Sequence, residues 1–256
     1  MAMLHNPVVD QITNHRSIRK FKDQTLTAEQ LQTLYAAASQ TSTSMFMQQF
    51  SILHVTDEKL REGVRNISGQ PYIGANGDLF VFVVDLYRNQ QIRQQLGKDD
   101  GRLHTTDIFF QAVEDTVLAL QNFLTAAESL GLGGVVLGSI KDDPAELVKV
   151  LNMPKMTLPL LGLQVGVPDQ EPQLKPRLPQ NQIAFENHYP TDFKVGDLKD
   201  YDEVVTTYYD LRDANRRIDS FTKQISGAKL AVHDTTRDKL AATIQAQGMA
   251  LDWGKN

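Results

Sequence analysis

The chain has 256 residues, 41% of them apolar, and a formal net charge of −5. That length suits one large domain or two small ones, with apolar content enough for a sizeable core. The acidic balance argues against a protein built to coat nucleic acid, and the absence of cysteine excludes disulfides, thiolate nucleophiles and Cys-type zinc sites.

The opening Met1-Ala2-Met3-Leu4-His5-Asn6-Pro7 holds no long apolar run and does not read as a signal peptide. No stretch elsewhere approaches the roughly 20 apolar residues of a membrane helix. A soluble, cytoplasmic chain is expected. Residues 7–14 predict a short helix with Pro7 in its first turn. The next helix starts at Thr27, where Thr27-Ala28-Glu29-Gln30 fits a capping box. Leu31, Leu34, Tyr35 and Ala38 follow at helical spacing, before the loop-like Gln40-Thr41-Ser42-Thr43-Ser44.

Residues 50–55 predict a strand, and Asp57 opens a helix carrying Leu60, Val64 and Ile67. The run Leu79-Phe80-Val81-Phe82-Val83-Val84 is apolar throughout, as in a strand buried on both faces. Residues 89–104 are polar and predict a long surface connection. The longest helix is expected over 107–130. Ile108, Phe109, Ala112, Val113, Val117, Leu120, Leu124 and Ala127 mark its stripe, while Phe110, Leu118, Phe123 and Leu130 widen it nearly all round. Such a helix must be covered on most sides, at the centre of the domain or against a second subunit.

Gly131 stops that helix, and Val135-Val136-Leu137-Gly138 reads as a short strand. Asp143-Pro144 starts another helix. Leu158 to Val167 is a strand, and residues 168–179, with Pro168, Pro172, Pro176 and Pro179, form an extended connector. Tyr201 to Arg212 is amphipathic, and 235–247 predicts a final helix. Strands separated by helices, without internal repeats, indicate a mixed α/β or α+β domain.

Four segments could carry chemistry. His15-Arg16-Ser17-Ile18-Arg19-Lys20 places four potential cations and a hydroxyl within six residues. In an extended segment, alternation puts His15, Ser17 and Arg19 on one side, a set suited to a phosphate. Taken alone, such a segment is more often a solvated basic turn. Leu174-Lys175-Pro176-Arg177-Leu178-Pro179 aims two cations between rigid prolines; alone, it too reads more often as a connector. Glu128 to Ser139 is Gly-rich but lies at a helix end, without the strand–glycine–helix order of a dinucleotide fingerprint. Its glycines could equally serve capping and close packing. Arg212-Asp213-Ala214-Asn215-Arg216-Arg217 could hold the extra phosphate of NADPH or end a helix in solvent. The histidines lie far apart, no Gly-x-Ser-x-Gly elbow occurs, and the adjacent acids Asp99-Asp100 and Asp142-Asp143 read as turn or cap residues. No metal site and no protein acid–base pair are assigned.

Together these segments resemble the FMN-dependent nitroreductase family, in its NADPH-dependent branch of oxygen-insensitive nitroreductases and flavin reductases. The markers, in order, are His15 to Arg19, the Ser/Thr loop through Phe46 and Gln48, Ser68-Gly69-Gln70, Glu128 to Gly138, Leu174 to Pro179, Glu186-Asn187 with Tyr189, Tyr201-Asp202-Glu203 with Tyr208-Tyr209, and Asn215-Arg216-Arg217. Departures are Thr43 and Met45 where relatives often have serine, Ser139 where glycine is common, and a diverged stretch from Gly227 to Val232.

The resemblance implies a nitroreductase-like α+β fold: a mixed, mainly antiparallel sheet flanked by helices, with the long central helix at a homodimer interface. It implies a single domain over 1–256, with about 180–256 as a C-terminal extension wrapping the core. It implies FMN as the cofactor and NADPH as the cosubstrate. FMN contacts fall on His15, Arg16, Ser17, Arg19, Thr43, Gln70, Val136, Leu137, Gly138, Ser139, Lys175 and Arg177. Arg19 and the Gly138 N–H are placed at the ring, and Lys175 and Arg177 at the phosphate. Substrate or NADPH contacts fall on Ser44, Met45, Phe46, Arg212, Arg216 and Arg237. The implied reaction is ping-pong reduction of nitroaromatics, quinones or related acceptors by NADPH. The alternatives are a reductase supplying free reduced flavin and a non-catalytic flavin-binding sensor. The partners are a second copy of the chain and small-molecule acceptors, with no nucleic acid and no membrane.

Overall fold

The computed structural model describes residues 3–208 and 220–254. The chain forms two compact units, residues 1–170 with 235–256, and residues 171–234.

The first unit is organised on four strands, β1 (Phe50–Val55), β2 (Asp78–Asp85), β3 (Gly133–Leu137) and β4 (Thr157–Gly166), in the order β1-β2-β4-β3. All three pairings are antiparallel. The sheet gains a parallel element from a single bridge, Ser17 to Gly134, which runs the segment after the first helix along the free edge of β3.

Four of its helices begin where side chains satisfy the first free amides. In α1 (Pro7–Thr13), Asn6 accepts from the Val8 and Val9 N–H groups. In α2 (Ala28–Ser39), Thr27 and Gln30 close the capping box. Asp57 caps α3 (Glu58–Ser68), which ends on Gly69 at φ +62°, a left-handed conformation that glycine adopts without Cβ strain. Asp143 caps α6 (Pro144–Val150). Between them run α4 (Tyr87–Gln95) and the long α5 (Thr106–Ser129), and α9 (Leu240–Ala246) returns from the C-terminal segment.

Strand alternation divides the core. Phe80 and Phe82 of β2 face α5 and α2, packing with Phe123, Ala119, Ala127, Leu34 and Ala38. Leu79, Val81 and Val83 face α3 and α6, against Val64, Ile140 and Leu147. Strand β2 is thus buried on both faces, as its unbroken apolar run requires. Phe123 meets Phe80, Phe82 and Tyr35 at centroid distances of 4.8, 5.6 and 6.1 Å; truncating such a side chain costs about 3–5 kcal/mol.

The second unit holds the proline-rich segment, α7 (Lys199–Thr206) and α8 (Phe221–Ile225). Asp202 ties the two helices by accepting from the Thr222 N–H at 3.0 Å and its hydroxyl at 2.5 Å.

Three sequence expectations change. Residues 89–104 are not one connection: Tyr87–Gln95 is helical, with no buried residue and hence no apolar stripe to betray it. In the single chain α5 buries Phe123 and leaves Phe110, Val117, Leu118 and Leu130 exposed. The final helix is shorter, a 3-10 turn at Thr236–Lys239 leading into α9. Helix α7 ends at Thr206, and the rest of the amphipathic stretch lies outside the described residues beyond Tyr208.

Candidate functional site

The basic segment is pinned from three sides. The His15 Nδ1 lies 2.5 Å from Glu128 Oε1 at the end of α5. The Ile18 N–H donates to Gly134 of β3 at 3.0 Å, and the Lys22 N–H to Val167 just past β4 at 2.9 Å. Gln170 accepts from the Arg19 and Lys20 N–H groups at 2.9 and 2.6 Å. The segment is therefore an added edge of the sheet, not a solvated turn.

The glycines beside it make the close approach possible. A Cβ on Gly133 would lie 2.5 Å from Ile18 Cγ1, and one on Gly134 would lie 2.6 Å from a methyl of Leu124. Gly131, at φ +76°, supplies the turn after α5. The Gly-rich stretch thus serves both capping and packing, and the packing partner of Gly133 is the basic segment itself.

His15, Arg16 and Ile18 line a cleft of about 260 Å³, with Glu128 and Gly133 on its other wall. Ser17 and Arg19 are half-buried nearby but do not line it. The Nε atoms of Arg16 and Arg19 are both buried without a hydrogen-bond partner in the structure. A buried donor left unpaired costs about 1–3 kcal/mol. Two such guanidinium donors in one short segment fit an anionic ligand.

The stretch from Val136 to Ser139 leaves β3 for a 3-10 turn, Ser139–Lys141. Val136 is exposed on an otherwise buried strand, Leu137 is buried, and Gly138 and Ser139 are half-buried. A Cβ on Gly138 would find only Arg237 Nη2 within 4 Å, at 3.9 Å. The glycine thus leaves its backbone open beside a guanidinium, the kind of surface a flat ring could approach. Arg237 is held by Asp142 at 3.2 Å. Burial pushes the neighbouring Lys141 ammonium below its usual pKa, and the Arg237 charge adds to that shift.

Thr43 and Ser44 lie in a loop tied to α5. The Thr43 hydroxyl donates to Asp115 Oδ2 at 2.5 Å and accepts from the Gln48 N–H at 2.8 Å. The Ser44 hydroxyl meets Gln111 Oε1 at 2.9 Å. Met45 and Phe46 of the same loop are exposed. Gln70 is exposed just after α3, at the head of a loop gripped by side chains. Gln164 takes the Gly74 N–H at 2.9 Å and gives to Tyr72 and Asn76 carbonyls at 3.1 and 2.6 Å. Arg61 and Arg65 bond the carbonyls of Ile73, Gly74, Ala75 and Gly77.

Lys175 and Arg177 belong to the second unit, where Lys175 Nζ lies 5.9 Å from the Tyr208 ring centroid. Arg212 and Arg216 lie outside the described residues. The sequence reading missed Asp115 and Lys141 as site-forming residues, and gave no role to Glu128, the first residue of its Gly-rich marker. Asp115 had a visible signal, an acid on the helical face of Ile108, Ala112 and Ala119; Lys141 had only its nearness in sequence to Ser139. Among the described residues, no group of three or more His, Asp or Glu could hold a metal ion, and no helix is long and apolar enough to cross a membrane.

Comparisons with known proteins agree along the chain. A family model described as the nitroreductase family matches residues 12–167, and one described as the nitroreductase family C-terminal domain matches 175–252. The chain is 41% identical over 224 residues to an FMN reductase (NADPH) of Bacillus subtilis, covering 86% of this chain and 90% of that one. The solved structure of NfrA1 from B. megaterium superposes with TM-score 0.88 at 35% identity, over 96% of this chain and 100% of the other. The NADPH:FMN oxidoreductase from Vibrio harveyi, complexed with NAD+, gives TM-score 0.85 at 32% identity, over 96% and 99% of the two chains. With a sheet edge extended by the basic segment, glycines that admit it, and likeness across both units, the chain belongs to the nitroreductase family.

Proposed function

We propose that this protein is an NADPH-dependent FMN oxidoreductase that reduces nitroaromatics, quinones or related acceptors. The observation that carries the reading is the pair of buried, unpartnered guanidinium Nε atoms of Arg16 and Arg19, on the segment that Ser17 bridges to the edge of β3. Bound FMN would supply the redox chemistry, taking a hydride from NADPH and passing electrons to the acceptor.

The protein's part is to bind and to tune. Arg16, held with His15 and Ser17 against β3, would meet anionic oxygens, and a guanidinium at Arg19 would favour charge that develops on the ring. Glu128 fixes the imidazole of His15 by accepting from Nδ1. Gly138 offers its N–H and open face, with Val136, Leu137 and Ser139 around it. Gln70 and the Thr43 loop complete the cofactor set, with Ser44, Met45 and Phe46 on the acceptor side. Arg237 is assigned to substrate or NADPH, joined by Lys141. For Lys175 and Arg177 at the phosphate, and Arg212 and Arg216 at the NADPH phosphate, the support is the family pattern alone.

The names borne by the relatives from B. subtilis and V. harveyi favour a second reading, a reductase that releases reduced FMN. Self-association belongs to the proposal: Phe110, Val117 and Leu118 form an exposed apolar strip on α5, and Phe110 lies 5.8 Å from the Trp253 ring. A single domain over 1–256 and a cytoplasmic location complete it.

The test is the visible spectrum of purified protein, titrated anaerobically with NADPH and then with acceptors. Flavin absorbance that bleaches within seconds and returns with nitrofurazone or a quinone is expected. Protein that stays colourless and takes up no FMN sinks the proposal, and bound flavin that NADPH never bleaches indicates a sensor. Faster turnover of free FMN than of nitrofurazone favours the flavin reductase. A monomeric mass at micromolar concentration removes the dimer.

A further inference from the structure

We infer that Asp115 is a positioning residue that sets affinity for the electron acceptor, by holding an apolar ridge of Met45, Phe46 and Met47 out into solvent. The inference rests on the proposed assignment of Ser44, Met45 and Phe46 to the acceptor side.

Asp115 is 1% exposed in the middle of α5. A carboxylate so buried must be paired or fully hydrogen-bonded. Its partners are donors of one loop. The Thr43 hydroxyl and the Gln49 N–H reach Oδ2 at 2.5 and 3.0 Å, and the Ser44 N–H reaches Oδ1 at 2.8 Å. One buried charge therefore gathers both ends of a short loop, as a drawstring does. Inside that clamp the Thr43 hydroxyl donates to Asp115 and accepts from the Gln48 N–H.

What the clamp holds is unfavourable by itself. Met45, Phe46 and Gln48 have φ of +48°, +61° and +49°, a region that side-chain-bearing residues enter rarely. Met45 and Phe46 are nevertheless 61% and 81% exposed. Neither backbone preference nor the hydrophobic effect favours this arrangement, so the anchoring contacts impose it. A second grip reinforces it from α4: Arg88 bonds the Gln48 carbonyl, and Asn89 the Met47 carbonyl at 3.1 Å. Two thioethers flanking a phenyl ring form an adaptable surface for flat organic molecules of varied outline.

Asp115→Asn keeps the shape of the side chain but turns one acceptor into a donor facing the loop's donors. Amide hydrogen exchange should show the Ser44 and Gln49 amides losing protection by about tenfold or more, the scale of one lost charge-assisted bond. The acceptor KM should rise about tenfold with kcat within about twofold, the pattern of weakened acceptor binding rather than slowed turnover. Thr43→Val should move the same amides and KM in the same direction, and carries the test if Asp115→Asn does not fold. Phe123→Leu, a core change on the same helix, should lower Tm without moving either readout.

Lost protection with an unchanged acceptor KM overturns the inference, as does unchanged protection in both loop variants. An equal rise in KM for Phe123→Leu also overturns it, as the mark of general destabilisation. A wild-type protein that binds no FMN and oxidises no NADPH refutes the functional reading, and the amide protection then reports on the clamp separately.

Discussion

Gly133→Ala tests the joint between the basic segment and the sheet. The added methyl would lie 2.5 Å from Ile18 Cγ1, 2.8 Å from Ile18 Cβ and 3.1 Å from Pro168 Cγ. Carbon atoms pack at about 3.5–4.0 Å, so Ile18 must retreat by about 1 Å. Rotation about χ1 relieves the first contact but not the second, because Cβ is fixed to the backbone. That backbone donates from the Ile18 N–H to the Gly134 carbonyl at 3.0 Å, so the retreat pulls on the bridge that holds the segment. Overpacking of this kind costs about 1–3 kcal/mol. Reduced chain entropy in the unfolded state returns about 0.4–1 kcal/mol to the variant. Sterics win, and a net loss of about 1–2 kcal/mol is expected in urea denaturation.

The same displacement carries Arg16 and Arg19 with it. FMN affinity, read by fluorescence titration, should fall about tenfold, equivalent to about 1.4 kcal/mol. Ile18→Ala removes the Cγ1 contact, so the double variant should be less destabilised than the sum of the two single changes by about 1 kcal/mol, a coupling within the range for touching residues. A Gly133→Ala protein with wild-type stability and FMN affinity within twofold would refute the reasoning, as would strict additivity with Ile18→Ala.

Three further outcomes are expected. Gln164→Leu leaves the Gly74 N–H and the Tyr72 and Asn76 carbonyls without the Gln164 side chain, and should cost about 3 kcal/mol or more in thermal or urea unfolding; a loss below about 1 kcal/mol would mean the loop finds other partners. Lys175→Ala combined with Arg177→Ala should raise the FMN Kd by at least about tenfold, as for loss of a charged phosphate contact; an unchanged Kd displaces the pair from the phosphate. Arg212→Ala should raise KM for NADPH far more than for NADH, and an equal effect on both would show that Arg212 does not read the 2′-phosphate.

Much of the fold was legible because the local signals were strong. Thr27 with Gln30, Asp57 and Asp143-Pro144 each mark a helix start by the side chain that satisfies its amides. The unbroken run through Phe82 marks a strand covered on both faces. Helix α4 was illegible for the opposite reason: its Gln and Arg residues form a helix that buries nothing, so no periodicity is written into it. In α5, composition showed how much of the surface is apolar but not which part the sheet takes. Phe123 and Leu118 look alike in sequence and end on opposite sides of the boundary.

The site divides the same way. Cations grouped in sequence, as at His15–Arg19, could be found directly. The residues that orient them could not, because Glu128 follows His15 by 113 positions and Asp115 follows Thr43 by 72. Only the folded chain brings such pairs together, and an acid on an apolar helix is the one trace they leave.

The grip on the loop after Gln70 is blind to sequence except at Gly74 and Gly77, which hold φ of +65° and +80°. Arg61, Arg65 and Gln164 hold mostly carbonyl oxygens, which every residue possesses, so apart from those two glycines the loop's path is recorded outside the loop. Positions such as Pro71 and Ala75 can therefore drift over generations while the backbone stays where it is. Variation would accumulate on the surface the loop presents, and constancy would be demanded of two arginines and one glutamine that no ligand need touch. A lineage could in this way retune what it meets at that rim without rebuilding the scaffold beneath it.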